Sequence, residues 1–126
     1  MDIADELSLP RATVRERLKK MMEAGVIRRF VAVPDYTKIG RPVMAYVRAS
    51  FSSEDGLTQR NLAAEISKIP SVYEVSVISG GWDILLKVRV GSLAEIGRLV
   101  GDKLRATGGV DKTETCVAFE TIKESF

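Results

Sequence analysis

The order of hydrophobic patterns after residue 42 constrains the fold of this chain more than any other feature. Segments in which apolar residues alternate predict strands, and segments in which they recur every three or four residues predict helices. The predicted elements are a strand at 43–51, a helix at 58–69, strands at 72–78 and 83–90, a helix at 92–106 and a strand at 112–122. With right-handed crossovers, this β-α-β-β-α-β order forms a split, ferredoxin-like sheet with both helices on one face.

Residues that break regular structure separate this pattern from the beginning of the chain. The stretch 34–42 contains two prolines and a glycine, and it is the predicted linker. We therefore expect an α+β protein in three parts. They are an N-terminal helical segment with a hinge strand at 1–33, the linker at 34–42 and the sheet domain at 43–126.

The first 33 residues carry a helical pattern of their own. Residues 2–7 form a short predicted helix and residues 8–10 a tight connection, and a second helix begins near Pro10 and ends at Gly25. Two helices joined by a three-residue turn are typical of a helix-turn-helix motif. After the second helix, residues 26–33 are predicted to form an extended strand that leads away from it.

The positive charge of the chain is concentrated in that second helix. The formal net charge is +2, and it arises entirely from the first 29 residues. Between residues 10 and 20, five basic side chains face a single acidic one, Glu16. A local patch of this kind attracts the phosphate backbone of nucleic acids, although many charge runs are only the solvated face of a helix.

Composition excludes most enzymatic and metal-binding functions. The chain contains no histidine and one cysteine, Cys116, so it lacks imidazole bases, the usual zinc-ligand sets and any intramolecular disulfide. No apolar run approaches the roughly 18 residues of a membrane span, and the charged first residues do not resemble a signal peptide. We therefore expect a cytoplasmic protein that is not an enzyme, needs no cofactor or metal and does not bind membranes.

The second face of the predicted sheet indicates a partner. An antiparallel sheet with one face in water alternates apolar and polar residues, but these strands keep apolar residues on both faces. Met44, Tyr46, Leu85 and Cys116 are examples from the face without helices. A second sheet would cover this surface, which predicts a homodimer. The alternative is that the N-terminal segment covers part of the face.

Three stretches of the sequence resemble the Lrp/AsnC transcription regulators, also called feast/famine regulators. Residues 9–21 and 23–27 are similar to the family's recognition helix and its exit into a hinge strand. Residues 80–88 are similar to its glycine, aromatic and aspartate turn before an apolar strand, and 110–115 to its final threonine-bearing strand. The resemblance implies a helix-turn-helix followed by a ferredoxin-like, RAM-type domain. We expect the first helix of the DNA-binding part to be missing, because this sequence starts within the second.

The same resemblance implies a function and its partners. It implies a sequence-specific DNA-binding regulator whose assembly or DNA binding is modulated by a small amino-acid effector. The expected partners are double-stranded DNA, the amino acid and further copies of the chain, as a dimer that can assemble to a tetramer or octamer.

The basic helix supplies the candidate DNA-binding residues. Arginine can read guanine or bind phosphate, and a helix in the major groove presents its N-terminal residues to base edges. The alternative is a solvated helix in which Arg17 pairs with Glu16 or Glu23. The candidates are Arg11, Thr13, Arg15, Arg17 and Lys19.

The turn at 79–83 supplies the candidate effector site. Its two glycines permit positive φ and close backbone approach, which leaves amide N–H groups free for a carboxylate. An aspartate there can bind an ammonium group beside an apolar tryptophan wall, and a second protomer is expected to close the site with a threonine. The alternative is an ordinary hairpin in which Asp83 caps backbone N–H groups. The candidates are Ser79, Gly80, Gly81, Trp82, Asp83, Thr113 and Thr115.

Two further functions are compatible with these patterns. The first is a stand-alone ligand-sensing or oligomerisation module that has lost DNA binding. The second is a small enzyme on a ferredoxin-like scaffold, since fold alone does not fix function. The absence of histidine and of convergent acid and base groups argues against the enzyme.

Overall fold

The computed structural model describes residues 6–52 and 58–126. The chain divides into two compact units, Met1–Val33 and Pro34–Phe126. Residues 34–42, the predicted linker, therefore fall within the second unit. In the part of the chain that the structure describes, no helix is long and apolar enough to cross a membrane.

The first unit is built on helix α1, Arg11–Glu23. The helix ends where the glycine predicts, because Gly25 has a φ of 77°. The N–H of Gly25 donates to the carbonyl of Met22, and the N–H of Val26 donates to Met21. This bond pattern with a left-handed glycine is a Schellman motif, which satisfies the last carbonyls of a helix. Of the short helix predicted before α1, residues 2–5 lie outside the described residues, and the last two, 6–7, are helical.

The strand predicted at 26–33 is absent from the described structure, so this prediction was wrong. A strand needs a neighbouring strand to pair its backbone groups. Residues 28–33 form no backbone hydrogen bond with any described residue, and the N–H groups of Val26 and Ile27 bond back to Met21. The apolar pattern of this segment leaves Phe30, Val31 and other side chains exposed.

The second unit has the predicted order of elements. They are β1 (Val43–Phe51), α2 (Gln59–Ile66), β2 (Val72–Val77), β3 (Ile84–Val90), α3 (Leu93–Arg98, which continues as a π-helical turn, Leu99–Leu104) and β4 (Val110–Val117). The four strands form one antiparallel sheet in the order β2-β3-β1-β4, which is the ferredoxin-like arrangement. The fold class predicted from the sequence is confirmed.

Two predicted elements are longer than the observed ones. The helix predicted to reach residue 69 ends at Ile66, and a turn connects it to β2. The strand predicted to reach residue 122 ends at Val117. After that residue only the N–H of Ala118 bonds to β1, at Met44. Because β1 begins at residue 43, it offers β4 no further backbone partner.

The core lies between one face of the sheet and the two helices. Facing pairs such as Val47 and Leu86 place the odd residues of β1 and the even residues of β3 on this side. Both helices of the unit contribute to the same core, as the sequence predicts. Its members are Ala45, Val47, Ala49, Leu62, Ala63, Ile66, Ile84, Leu86, Val88, Val90, Ile96, Leu99 and Leu104.

The opposite face of the sheet, here called the outer face, is less apolar than predicted. Met44 is buried and Leu85 half-buried, and Tyr46 is 39% exposed. Charged side chains share the face, since Arg48 of β1 pairs with Glu114 of β4 at 2.7 Å. The prediction of an apolar outer face is therefore correct only in part.

Candidate functional site

Helix α1 carries a row of exposed basic side chains. Val14 is buried and marks the inner side of the helix. Arg11, Arg15 and Lys19 follow one another at every fourth residue, so they lie in one row along the helix. All three are exposed. Within the described residues, Arg15 and Lys19 have no ion-pair partner, so their charges are available to an anionic ligand.

The other two candidates on α1 lie on a different side. Successive residues of an α-helix are about 100° apart, so Arg15 and Arg17 point about 160° away from each other. Thr13 is half-buried beside Val14, on the same flank as Arg17. The structure therefore brings the five predicted residues into two rows, and one flat surface cannot contact both equally.

The ion pairs of α1 differ from the predicted alternative. Glu16 pairs with Lys20 at 3.7 Å, and Arg17 has no ion-pair partner among the described residues. Both partners of the Glu16 pair are exposed, and exposed pairs of this kind contribute about 0.3–0.5 kcal/mol in a helix. The pair leaves the basic character of the helix intact.

The turn between β2 and β3 contains a run of unused backbone donors. The N–H of Ile78 donates to the carbonyl of Asp83 at 2.9 Å and closes a four-residue loop. The N–H groups of residues 79–82 have no acceptor among the described residues. Gly80 has a φ of 107°, whereas Gly81 does not adopt positive φ. A larger side chain is thus expected to strain the turn at Gly80 and not at Gly81.

Asp83 holds the turn against β1 and keeps one carboxylate oxygen free. Its Oδ2 accepts the N–H of Phe51 at 2.8 Å. Phe51 lies two residues beyond the last β1–β3 pair, Ala49 with Ile84, so the ladder between these strands does not use its N–H. Oδ1 has no donor among the described residues. The structural role given by the alternative interpretation is thus present, and a second carboxylate oxygen remains beside it without a donor among the described residues.

The two threonines do not join the turn within one chain. Thr113 pairs with Ala49 and Thr115 with Val47, both across β1 from β3. Two strand spacings separate β4 from β3, which is about 10 Å. Both threonines are half-buried, while Ser79 at the turn is exposed. One protomer therefore supplies the turn but not a threonine beside it.

Gln59 also contacts this turn, and reasoning from the sequence missed it. Its side-chain amide donates to the carbonyl of Asp83 at 2.8 Å and joins the start of α2 to the turn. The sequence places Gln59 directly after a predicted helix start, but nothing local relates it to a residue 24 positions later. Among the described residues, no cluster of three or more Cys, Asp or Glu side chains is placed to hold a metal ion.

Comparison with known families identifies both parts of the chain. The family model for the Lrp/AsnC ligand binding domain matches residues 44–126. A second family model, for a winged helix-turn-helix DNA-binding unit, matches residues 2–28. The two matches follow one another in the order that the sequence motifs indicate.

Individual relatives give the same result. An HTH-type transcriptional regulator of Pyrococcus abyssi is 46% identical over 97% of this chain and 81% of its own length. An AsnC family transcriptional regulator from Agrobacterium tumefaciens has a similar structure, with a TM-score of 0.83 and 28% identity over 99% of this chain and 83% of that one. A transcriptional regulator from Neisseria meningitidis, solved as a complex with L-Met, has a TM-score of 0.84 and 22% identity over 97% of this chain and 79% of its own.

Proposed function

The chain belongs to the Lrp/AsnC family of transcription regulators, and from this premise we propose how it binds DNA and senses an effector. In this proposal α1 binds a specific DNA site, and a free amino acid at the Gly80–Asp83 turn modulates that binding or the assembly of the protein. A regulator of this kind acts on DNA, so its proposed location is the cytoplasm.

The DNA-binding half of the proposal rests on the exposed basic rows of α1. Arg11 and Arg15 are in the N-terminal half of the helix, which is the part that reaches base edges in a major groove. Lys19 continues the same row and is suited to phosphate. Arg17 and Thr13 point to the other side, so we assign them to the flanking backbone. Two such helices in a dimer read a pseudo-palindrome with half-sites one or more helical turns apart.

The effector half rests on one observation at the turn. Four consecutive backbone N–H groups, at residues 79–82, have no acceptor among the described residues, and the free Oδ1 of Asp83 follows them directly. Backbone donors of this kind bind a carboxylate, and a carboxylate oxygen binds an ammonium group. A free amino acid carries both groups a few ångströms apart. The half-buried indole of Trp82 is positioned to contact its side chain.

A second protomer is proposed to complete this site. The loop is exposed at Ser79, Gly80 and Gly81, and an open hairpin cannot remove a charged ligand from water. Within one chain, Thr113 and Thr115 lie about two strand spacings from β3. The hydroxyl donors would instead come from Thr113 or Thr115 of a neighbouring copy. Thr113 and Thr115 are paired with the core residues Ala49 and Val47, so they lie on the helix side of the sheet and their contact differs from the outer-face dimer. Amino-acid binding would then be linked to the assembly of dimers into a tetramer or octamer.

Calorimetry on the whole chain tests the effector site. The probes are the twenty common amino acids, beginning with L-methionine because the Neisseria meningitidis regulator was solved with it. Asp83→Asn removes the charge and keeps an oxygen for the Phe51 N–H, so the variant should fold normally. We expect it to bind the selected amino acid at least about tenfold more weakly, since a charge-assisted bond contributes roughly 1.5–3 kcal/mol.

Two controls separate binding from folding in that experiment. Asp83→Ala also loses the Phe51 bond, so it should lose thermal stability as well as affinity. Gly81→Ala changes the same loop at a position with ordinary φ and open space around a new Cβ, so it should bind as wild type does. No binding by any amino acid, or equal binding by wild type and Asp83→Asn, would exclude the turn as the effector site. A protein that binds an amino acid but no DNA is instead a stand-alone sensing module.

A further inference from the structure

Arg89 has an unusual environment for an arginine in a sheet. It lies on the outer face of β3 and is 7% exposed, the only charged residue classed as buried in the described part of the chain. Its Nη2 donates to both carboxylate oxygens of Glu124 at 2.6 Å, and its Nε is buried without a hydrogen-bond partner in the described part of the chain. Burying a charged group is unfavourable unless the group is paired with an opposite charge and hydrogen-bonded. The contacts of Arg89 are therefore specific and fixed.

The first of these neighbours is Tyr36, at the start of the second unit. The guanidinium carbon of Arg89 lies 3.8 Å from the centre of the Tyr36 ring, which is a close cation–π contact. Tyr36 also packs edge-to-face against Tyr73 of β2, with 5.6 Å between ring centres. Arg41 donates to the hydroxyl of Tyr73 at 2.9 Å and to the carbonyl of Pro70 at 3.2 Å. Residues 36–41 are thus attached to the β2 edge of the sheet.

The second neighbour comes from the C-terminal segment. Glu124 contacts Lys87 as well as Arg89, and Lys87 also lies 3.9 Å from Glu74. The hydrogen bond from Lys87, followed by the bond and charge of Arg89, lowers the pKa of Glu124 below its ordinary value despite partial burial. The Phe126 ring lies 6.0 Å from the Lys87 ammonium group. The carboxylate thus stays ionised at neutral pH and pairs with the guanidinium group of Arg89.

Arg89 with its neighbours and the proposed effector turn, residues 79–83, are at the two ends of strand β3. Asp83 directly precedes β3 and Arg89 is its second-last residue, so about 20 Å of paired strand separates them. β3 is bonded to β1 on one side and β2 on the other, which makes it a stiff connection. Residues 34–35, just before Tyr36, follow the first unit directly in the chain.

We propose that Tyr36, Arg89 and Glu124 form a clamp through which the effector turn acts on the segment that leads to the DNA-binding unit. Among the described residues, 28–33 form no backbone hydrogen bond, and Tyr36 lies close to the start of the second unit, where its ring is held against Arg89. Because β3 is paired on both sides, a change at the turn that tilts β3 together with its neighbouring strands moves Arg89, and Arg89 moves Tyr36. Arg89 and Tyr36 are positioning residues that touch neither ligand. The inference depends on the proposed function, because it needs both ligands to bind.

Tyr36→Ala tests the clamp, and Tyr36→Phe is its matched control. The contact with Arg89 uses the ring face, and the Tyr36 hydroxyl has no partner among the described residues, so phenylalanine should replace it without effect. DNA affinity is measured by fluorescence anisotropy with and without the tightest-binding amino acid from the calorimetric screen. For Tyr36→Ala we expect each ligand alone to bind within about twofold of wild type. The effect of the amino acid on DNA affinity should fall to less than twofold, and Tyr36→Phe should keep the wild-type effect.

Hydrogen exchange gives a second readout that does not need DNA. The amides of Ile39, Gly40 and Arg41 bond within residues 35–41, so their exchange reports whether this segment is held. We expect faster exchange there in Tyr36→Ala, with the β1 and β3 amides as protected as in wild type. An amino-acid effect on DNA affinity that is unchanged in Tyr36→Ala, or unchanged exchange at residues 39–41, overturns the clamp. If no amino acid alters DNA affinity in wild type, the clamp fails together with the part of the proposed function in which the effector modulates DNA binding.

Discussion

Replacing both Arg11 and Arg15 by alanine is expected to weaken specific DNA binding by about 2–6 kcal/mol, at about 1–3 kcal/mol for each base contact. Both side chains lie in one exposed row in the N-terminal half of α1. In the proposed complex this half of the helix contacts base edges in the major groove. Where one of them instead contacts phosphate, the slope of log affinity against log salt should flatten by about one per contact. Anisotropy titrations at several salt concentrations, with a duplex that wild type selects from a random library, measure both quantities.

The control for this variant removes the same charge elsewhere. Arg98 and Arg105 are exposed and belong to the helical segment that follows β3, so replacing both by alanine changes net charge equally. That control should bind DNA with the wild-type affinity and salt slope within about twofold. A separate Arg17→Ala variant should reduce the salt slope more than the sequence preference, because its side chain lies on the opposite flank of α1. Wild-type affinity and slope in the double variant would exclude α1 as the DNA-binding helix.

Leu85→Lys is expected to dissociate the proposed dimer. Leu85 is half-buried on the outer face, opposite Arg48 of β1 and Ser76 of β2. A lysine there would have to lose water against a second sheet, beside the existing charge of Arg48. A symmetric interface contains the substitution twice, so at about 2 kcal/mol each the dissociation constant should rise roughly a thousandfold. Sedimentation equilibrium over a wide concentration range measures it.

Leu93→Lys is the matched control for the dimer. Leu93 begins α3 and is already 64% exposed, so a charge there costs little in the monomer and lies on an element that packs against the other face of the sheet. This variant should dimerise as wild type does. Thermal unfolding of both variants distinguishes a lost interface from a lost fold. A Leu85→Lys dimer as tight as wild type would move the interface to another surface.

The fold was predictable because its helices and strands have clear local patterns. The residues at which they end were less predictable, because these depend on neighbouring elements. Alternation in 43–51 and helical spacing in 92–106 correctly predicted β1 and the helix after β3. Residues 26–33 are mostly apolar as well, but they find no strand to pair with in the described part of the chain, so the sequence alone overpredicted there. β4 stops at Val117 because β1 starts at Val43, a limit that only the sheet register defines.

The position of the turn that forms the candidate effector site was predictable from the sequence, but its hydrogen bonds were less predictable. The two glycines and the aspartate correctly indicated a turn before β3, since these residues favour such loops. That Asp83 accepts the Phe51 N–H depends on how β1 lies beside β3, and which glycine adopts positive φ depends on the turn between β2 and β3. The burial of Arg89 was hidden for a similar reason, because its partners are far away in sequence.

The central claim is that an amino acid changes how this regulator binds DNA, and one titration measures that most directly. The whole chain is titrated into the selected duplex at fixed salt, with and without a saturating concentration of each amino acid, beginning with L-methionine. We predict that at least one of them changes the apparent dissociation constant about fivefold or more, the lower end of ordinary allosteric coupling. Specific DNA binding whose affinity is the same with all twenty amino acids as without them would contradict the account.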